Sequence, residues 1–432
     1  MALETNATNN IVEKLASAVA LPRMVKVRQL FDDSHLTPKE ITALVQAEMS
    51  REVFAQRIRP GMTVAITCGS RGVANIAVII KAMVDFVKRQ GARPFVFPAM
   101  GSHGGATAEG QRAILTGYNV TEELIGCPIM ASMETVLLGQ TPEGMNVFAD
   151  KYASKADAII LCGRIKAHTA FRGPHESGLM KMAVIGMGKQ HGAEQVHQNG
   201  FSELGHLLPI IGKVVLERMP VIGGIGLVEN AFDQTCMVRA LTTEEIWTEE
   251  PKLLTYSKTR LGKLYFDDLD LLVVDRIGKD ISGDGMDPNV TGRYAVPYLQ
   301  GDNKVQHIAV LDLTEETHGN CNGIGLADVT TKRLVDKVDV DTTFPNVVTS
   351  TVLCTPRIPL FTHTDKSCIQ IALRTCNNIN RKQPRIMRIQ DTMHLNEAYI
   401  SEALLPQARQ NPNIEILSQP DIWHFDAQGN LW

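Results

Sequence analysis

Residues 164–197 hold the densest set of side chains in the sequence that could do chemistry. The segment reads RIKAHTAFRGPHESGLMKMAVIGMGKQHGAEQVH and contains four of the twelve histidines, His168, His175, His191 and His197. It also contains Lys181 between two methionines. Histidine exchanges protons near neutral pH and ligates metals, and a partly desolvated lysine can act as a nucleophile. The segment therefore predicts a catalytic or metal site. The alternatives are a surface loop with scattered histidines and a lysine that extends from a helix into solvent.

Two glycine-rich loops farther upstream follow apolar runs that are typical of buried strands. One reads GSHGG at 101–105, with His103 at its centre, and the other reads CGSRG at 68–72. Glycines permit tight turns and let backbone N–H groups approach an anion. Ser70 and Arg71 suit a phosphate or a carboxylate, because a guanidinium can bind either in a bidentate way. A plain surface turn is the alternative for both loops.

Several common motifs are missing from the sequence. There is no H-E-x-x-H pair of zinc ligands, and Gly188-Lys189 is not followed by the Ser or Thr of a phosphate-binding Walker loop. The dinucleotide fingerprint G-x-G-x-x-G and the serine-hydrolase motif G-x-S-x-G are also absent. Nicotinamide-dependent and serine-hydrolase functions therefore lack their sequence signatures.

Composition narrows the class of protein. The chain has 432 residues, 44% of them hydrophobic and 21% charged, with a net charge of −4, so nothing indicates nucleic-acid binding. The eight cysteines are dispersed without C-x-x-C pairs, which favours reduced thiols over a disulfide framework or a structural zinc site. The N-terminus lacks the pattern of a signal peptide, and no apolar run approaches the roughly 20 residues of a membrane helix. We expect a soluble, cytoplasmic protein that can form homo-oligomers and does not bind membranes.

The order of elements predicts an α/β fold with mainly parallel sheets. Apolar runs at 62–66, 93–97, 158–162, 269–275 and 305–313 are typical of buried strands, and glycine-rich loops and amphipathic helices follow them. Thr37-Pro38-Lys39-Glu40 has the pattern of a helix start. The length favours two domains, which we place at 1–265 and 266–432.

Together these blocks resemble the lactate racemase family, the nickel-pincer nucleotide-dependent 2-hydroxyacid racemases and epimerases. The resemblance rests on residues 101–107 and 163–197, and on 278–283 and 326–331 in the second half, which occur in the family's order. It implies two α/β domains with the active site in the cleft between them. The first would bind the cofactor, and the second would contribute to the substrate cleft.

The resemblance also implies roles for single residues. Lys181 would tether the cofactor, a pyridinium mononucleotide with two sulfur donors and a carbon–nickel bond, through a thioamide. His197 would ligate nickel, and a neutral imidazole suits Ni(II). His103 and His168 would be the catalytic acid/base pair. The rest of the predicted site comprises Ser70, Arg71, Gly72, Gly104, Gly105 and Thr107 for the cofactor, and Arg71, His175, Lys279 and Arg293 for the substrate. The cofactor itself would come from separate biosynthetic proteins.

The implied reaction inverts C2 of a 2-hydroxy acid by reversible hydride transfer to the nickel-pincer nucleotide, while a histidine takes the hydroxyl proton. Residues 174–176 look like an insertion between His168 and Lys181, and Cys68 replaces an acidic residue of the family. The added polar groups Arg172, His175 and Glu176 favour a sugar acid such as gluconate over lactate, malate or another short acid.

Two other functions stay open at this point. One is a zinc- or nickel-dependent hydrolase or lyase that uses His103, His168 and His197 as metal ligands. The other is a sensor that binds a sugar acid or nucleotide without catalysis, although such a protein would have no use for three histidines and Lys181 together.

Overall fold

The computed structural model describes residues 11–70 and 72–432, and within them the chain forms two compact units. The central unit is Asp33–Leu261, and the terminal unit combines the chain up to Asp32 with Gly262–Trp432. In the described part of the chain, no helix combines the length and the apolar character that crossing a membrane requires.

The strands, numbered in chain order, are β1 Met24–Gln29, β2 Thr63–Cys68, β3 Arg93–Pro98, β4 Thr135–Gln140, β5 Asn146–Asp150, β6 Ala158–Arg164, β7 Val221–Glu229, β8 Thr235–Thr242, β9 Asp268–Ile277, β10 Lys304–Leu313, β11 Val329–Thr331, β12 Leu360–Thr362, β13 Ile386–Ile389, β14 Glu397–Ser401 and β15 Ile414–Ile416. The α-helices are α1 Ile11–Ser17, α2 Pro38–Met49, α3 Glu52–Ala55, α4 Ile76–Arg89, α5 Ala108–Gly117, α6 Glu122–Ile125, α7 Leu179–Lys181, α8 Lys189–His197, α9 Phe201–Arg218, α10 Thr243–Thr248, α11 Glu250–Arg260, α12 Pro288–Thr291, α13 Lys332–Asp336, α14 Val340–Ser350, α15 Asp365–Thr375 and α16 Leu405–Gln410. A π-helical turn, Met182–Gly186, follows α7 directly.

The central unit is built on a five-stranded sheet with the order β3-β2-β6-β7-β8. The first four strands are parallel, and β8 pairs with β7 in the antiparallel sense. Strands β4 and β5 form a separate antiparallel pair. Because parallel strands end at the same edge, the loops after β2, β3 and β6 begin side by side.

Side chains alternate between the two faces of this sheet and supply two cores. Val64 and Ile66 of β2 pack under α2 and α4. Ala65 of β2 and Leu161 of β6 pack with α7, α8 and α9 on the other face. Both faces are thus covered by helices, as expected for strands that are apolar along their whole length.

The terminal unit has an eight-stranded sheet with the order β12-β11-β10-β9-β13-β14-β1-β15. The run from β12 to β13 is parallel, and the remaining pairs are antiparallel. The predicted α/β class with mainly parallel sheets is confirmed.

The predicted division at residue 265 lies close to the end of the central unit, but the N-terminal part differs. The sequence places residues 1–265 in one domain, whereas β1 pairs with β14 and β15 in the terminal sheet. Ion pairs flank this pairing, including Arg28 with Glu415 at 2.8 Å. The physical reason is a long-range one, since β1 completes a sheet whose other strands lie more than 200 residues away. The predicted helix start is present, and Thr37 and Glu40 form a capping box at α2.

Candidate active site in the central unit

A cavity of about 190 Å³ opens at the carboxyl edge of the central sheet. Its polar wall includes Ser70, His103, Arg164, Lys166 and Lys181, and much of the remaining wall is apolar. The loops after β2 and β3 supply the first two, and β6 with its following segment supplies the others. The sheet topology therefore gathers three predicted site residues, Ser70, His103 and Lys181, around one space.

Hydrogen bonds to both the ring and the backbone fix the position of His103. Its Nδ1 is hydrogen-bonded to Ser70 Oγ, and Tyr118 donates a hydrogen bond of 2.8 Å to the Ser70 carbonyl. Gln111 donates to the carbonyl oxygens of Gly101 at 3.0 Å and His103 at 3.2 Å. Ser70 can thus keep a proton on Nδ1, which would leave Nε2 as the atom that accepts one.

His168 contacts the lysine that is predicted to carry the cofactor. Its Nε2 lies 2.8 Å from Lys181 Nζ, and its Nδ1 accepts a hydrogen bond of 3.0 Å from the Ala170 N–H. A neutral imidazole carries one proton, so the acceptor role of Nδ1 puts that proton on Nε2. In this tautomer Nζ would accept the Nε2–H as a neutral amine, which is the nucleophilic form of lysine.

The segment between His168 and Lys181 forms a loop that is held by its own hydrogen bonds. Lys166 and Ser177 exchange backbone hydrogen bonds of 3.1 and 3.2 Å at its base. Glu176 is only 1% exposed and accepts from the His168 N–H at 2.6 Å and from Lys258 Nζ at 2.7 Å. Glu176 therefore anchors the backbone of His168 to α11.

A second buried carboxylate holds the helix that carries Lys181. Glu250 accepts hydrogen bonds from the N–H groups of Leu179 and Met180, each at 3.1 Å. A Cβ at Gly178 would collide with this carboxylate, so any other residue there would have to displace the Glu250 side chain. The π-helical turn after Lys181 is a feature often found at functional sites. Glu250 thus satisfies helix N–H groups next to the reactive amine.

His197 ends α8, sixteen residues after Lys181. Its ring centroid is 5.3 Å from that of Phe201, and the same Phe201 ring is 6.0 Å from His168. The predicted nickel ligand and the predicted acid/base residue are therefore neighbours of one aromatic ring. Within the described residues, no group of three or more His, Cys, Asp or Glu side chains is arranged to hold a metal.

Other predicted residues lie away from the cavity wall. His175 is 2% exposed, packs edge-on against Trp247 and has Nδ1 3.5 Å from Glu250 Oε1. Thr107 caps α5 by accepting from the Gly110 N–H at 3.0 Å. Gly72, Gly104 and Gly105 are not among the residues that line the cavity. Arg71 lies outside the described residues.

The two predicted substrate residues of the terminal unit have partners within that unit. Lys279 donates to the Gly283 carbonyl at 2.5 Å. Arg293 is hydrogen-bonded to Asp328 and donates to the carbonyls of Leu326 and Gln306 at 3.2 and 2.9 Å. These contacts give Arg293 a structural role beside β10 and β11, and its assignment to substrate stays a prediction.

Two further groups shape the electrostatics of the cavity. Arg164 forms an ion pair with Glu229, which is 6% exposed and also accepts from the Ala74 N–H at 2.7 Å. Burial raises the pKa of Cys162 to about 12, so this wall residue stays a neutral thiol. The positive charge of Arg164 is therefore balanced locally, and Cys162 is a poor nucleophile.

Comparison with known proteins finds similarity to lactate racemases in sequence and in fold. Residues 19–204 match the lactate racemase N-terminal domain family, and this region contains the candidates Ser70, His103 and Lys181 that line the cavity. This part of the chain is therefore similar to the N-terminal domain of lactate racemases. Among solved structures, the chain is similar to the lactate racemase apoprotein from Thermoanaerobacterium thermosaccharolyticum. The identity is 10% and the TM-score 0.52, over 86% of this chain and 99% of the other. No protein of curated function matches the sequence significantly.

The family match confirms the resemblance drawn from the glycine-rich loop and the histidine-rich segment. The structural likeness, at 10% identity, shows that this chain has a fold similar to that of the lactate racemase apoprotein. Some residues that build the site carried no sequence signal, namely Gln111, Tyr118 and Glu250. Gln111 and Glu250 lie on helices and Tyr118 directly follows α5, and only their contacts in the folded chain distinguish them from other polar residues.

Proposed function

We propose that the protein inverts C2 of a 2-hydroxy acid with the help of a nickel-pincer nucleotide, and thus acts as a racemase or epimerase. One observation carries the proposal. A lysine whose Nζ contacts a histidine ring nitrogen lines the same cavity as a histidine with a hydroxyl partner, inside a region similar to the lactate racemase N-terminal domain. A neutral amine can form a covalent bond with an electrophilic carbon, as a tether requires.

The donor set fits the cofactor. Lys181 would hold it through a thioamide, and His197 would offer a neutral imidazole to nickel. The cavity is smaller than the roughly 300–1,000 Å³ of ordinary small-molecule sites, so we expect it to enclose the reacting part of the cofactor and not the whole nucleotide. When bound, the cofactor supplies an acceptor for hydride from C2 of the substrate.

The residues of the chain would handle the proton. His103, with Nδ1 paired to Ser70, would accept the 2-hydroxyl proton at Nε2 and return it. His168, whose Nε2 lies 2.8 Å from Lys181 Nζ, would be the second acid/base group once the Lys181 amine is bonded to the cofactor. A histidine gives a proton to the substrate oxygen as imidazolium, so each histidine would return the proton that it has taken up from a substrate hydroxyl.

The preferred substrate is the finer part of the proposal. The sequence favours a sugar acid such as gluconate because Arg172, His175 and Glu176 are polar. His175 and Glu176 are buried with protein partners, so this argument is weaker in the structure than in the sequence. Lactate and malate therefore belong in the test beside the aldonates.

The test uses protein produced together with the cofactor-forming proteins. We expect intact-mass analysis to find an adduct on Lys181 and metal analysis to find about one nickel per chain, as a single-site cofactor requires. Enantiopure lactate, malate and gluconate labelled with deuterium at C2 should give inverted product that keeps the deuterium, because the hydride returns to the same carbon. Loss of the label to water, or no inversion of any acid by adduct-bearing protein, would refute the proposal. Lys181→Arg is the matched control, which keeps a cation but cannot form the tether.

A further inference from the structure

The first residue of α8 carries a buried cation outside the cavity. Lys189 is 0% exposed, and its Nζ forms an ion pair of 3.1 Å with Asp150, which is also 0% exposed. The same Nζ is hydrogen-bonded to the Pro98 carbonyl at the end of β3 and to Gln111 Oε1 at 3.4 Å. The ammonium thus has two hydrogen-bond acceptors, the Pro98 carbonyl and Gln111 Oε1, and an ion pair with Asp150 that balances its charge.

The ammonium decides which way the Gln111 amide points. Because Oε1 of Gln111 faces Lys189, its NH₂ group faces the opposite direction, where it meets the carbonyls of Gly101 and His103 at 3.0 and 3.2 Å. Gln111 is itself 0% exposed. The buried chain of contacts therefore runs from Asp150 through Lys189 and Gln111 to the loop of His103.

Lys189 is an unfavourable residue for its position in two ways. Its φ of +56° lies in the left-handed region, where Gly or Asn costs less. Its charge is also removed from water, and this burial lowers the pKa of its ammonium. A glycine would relieve the backbone, and a methionine would fill the space without a charge. Costs of this kind persist mainly where the surrounding structure needs them for function.

We infer that Lys189 is a positioning residue of the active site, which acts through Gln111 on the loop of His103. Lys189 also begins the helix that ends at His197. One buried cation thus fixes the start of that helix relative to the His103 loop. The roles of His103 and His197 rest on the proposed function, whereas the network itself does not.

Hydrogen exchange of the cofactor-free protein tests the inference without any activity. The variant Gln111→Met removes both donors to the loop but keeps the length of the side chain. We expect amides in residues 100–107 to exchange roughly tenfold faster, since two buried hydrogen bonds hold that loop closed. The control Gln428→Glu changes an exposed glutamine of the terminal unit and should leave these amides unchanged. Unchanged exchange in Gln111→Met would overturn the inference.

A second variant separates positioning from simple stabilisation. In Lys189→Met/Asp150→Asn both charges are removed together. The carbonyl oxygen of the introduced amide can still accept from the N–H groups of Tyr152 and Ala153, as Asp150 does at 2.7 and 2.8 Å. We expect the same faster exchange at 100–107, because the Gln111 amide loses its orientation. If exchange rises only in β5 and α8, the ion pair is merely structural and the inference fails.

Turnover gives an independent check where the loaded protein is active. Gln111→Met should lower kcat roughly tenfold and leave KM and nickel content within about twofold, because the loop of His103 moves while the cofactor residues stay. A fall in nickel content with unchanged kcat per nickel would contradict this. The loaded wild type could invert no hydroxy acid while the amides at 100–107 still exchange faster in Gln111→Met. In that case the proposed function fails and the positioning role of Lys189 stands.

Discussion

Replacing Glu250 with glutamine should destabilise the helix that carries Lys181. The carboxylate is 1% exposed and receives N–H groups of Leu179 and Met180 at 3.1 Å each. Charge-assisted hydrogen bonds contribute roughly 1 kcal/mol more than neutral ones. Both N–H groups donate to the same oxygen, Oε2, so the amide oxygen of glutamine can still accept them, but only as neutral hydrogen bonds. The new NH₂ group then replaces Oε1 and faces the Met180 N–H, which now donates to Oε1 at 3.4 Å. We therefore expect a loss of about 2–3 kcal/mol.

For a unit as large as residues 33–261, that loss corresponds to a fall in Tm of about 4–12 °C. Differential scanning calorimetry of the cofactor-free protein measures it. Glu249→Gln is the matched control, since Glu249 pairs with Lys252 on the surface at 2.7 Å, and surface pairs contribute little. If Glu250→Gln melts at the temperature of the control, the carboxylate does not hold the helix, and the reasoning is refuted.

Three further outcomes follow from the same structure. Ser70→Ala should lower kcat of the loaded enzyme roughly 10- to 100-fold and shift its pH–rate profile without loss of nickel, because His103 loses the partner of Nδ1. Arg293→Lys should lower the free energy of unfolding by about 1–3 kcal/mol, measured in urea, because the guanidinium contacts with Asp328 and the backbone are lost. A KM of the loaded variant at least tenfold above that of the wild type would instead support a role of Arg293 in substrate binding. Cys162 should resist iodoacetamide at pH 8 in the native protein and react in the unfolded chain, since burial raises its pKa to about 12.

Local patterns predicted the parts of the fold that depend on nearby residues. The strand expected at 158–162 is the core of β6, and the strand expected at 93–97 is β3. Both end in the loops that are predicted to do chemistry, because an apolar run and the glycines after it are adjacent in sequence. The capping box at Thr37 is readable for the same reason.

Long-range pairings could not be read in this way. Glu250 lies 71 positions after Leu179, in a stretch whose charges and proline indicate a linker or a connecting helix. Strand β1 joins a sheet formed by residues far away in sequence. In each case a polar or short apolar element gains its role only when a distant partner buries it, and no periodicity in the sequence reports that event.

The polar loop between His168 and Lys181 shows how composition can mislead about a substrate. Its polarity suggests a hydroxylated acid, but Glu176 binds Lys258 and the His168 backbone, and Arg172 donates to the His168 carbonyl at 2.5 Å. A buried carboxylate without such donors would be costly, so these partners explain why a charged residue is tolerated there. The loop's charges thus hold His168 beside the Lys181 amine. Under the proposed function, selectivity among 2-hydroxy acids would then come from side chains that face the cavity, many of which are apolar.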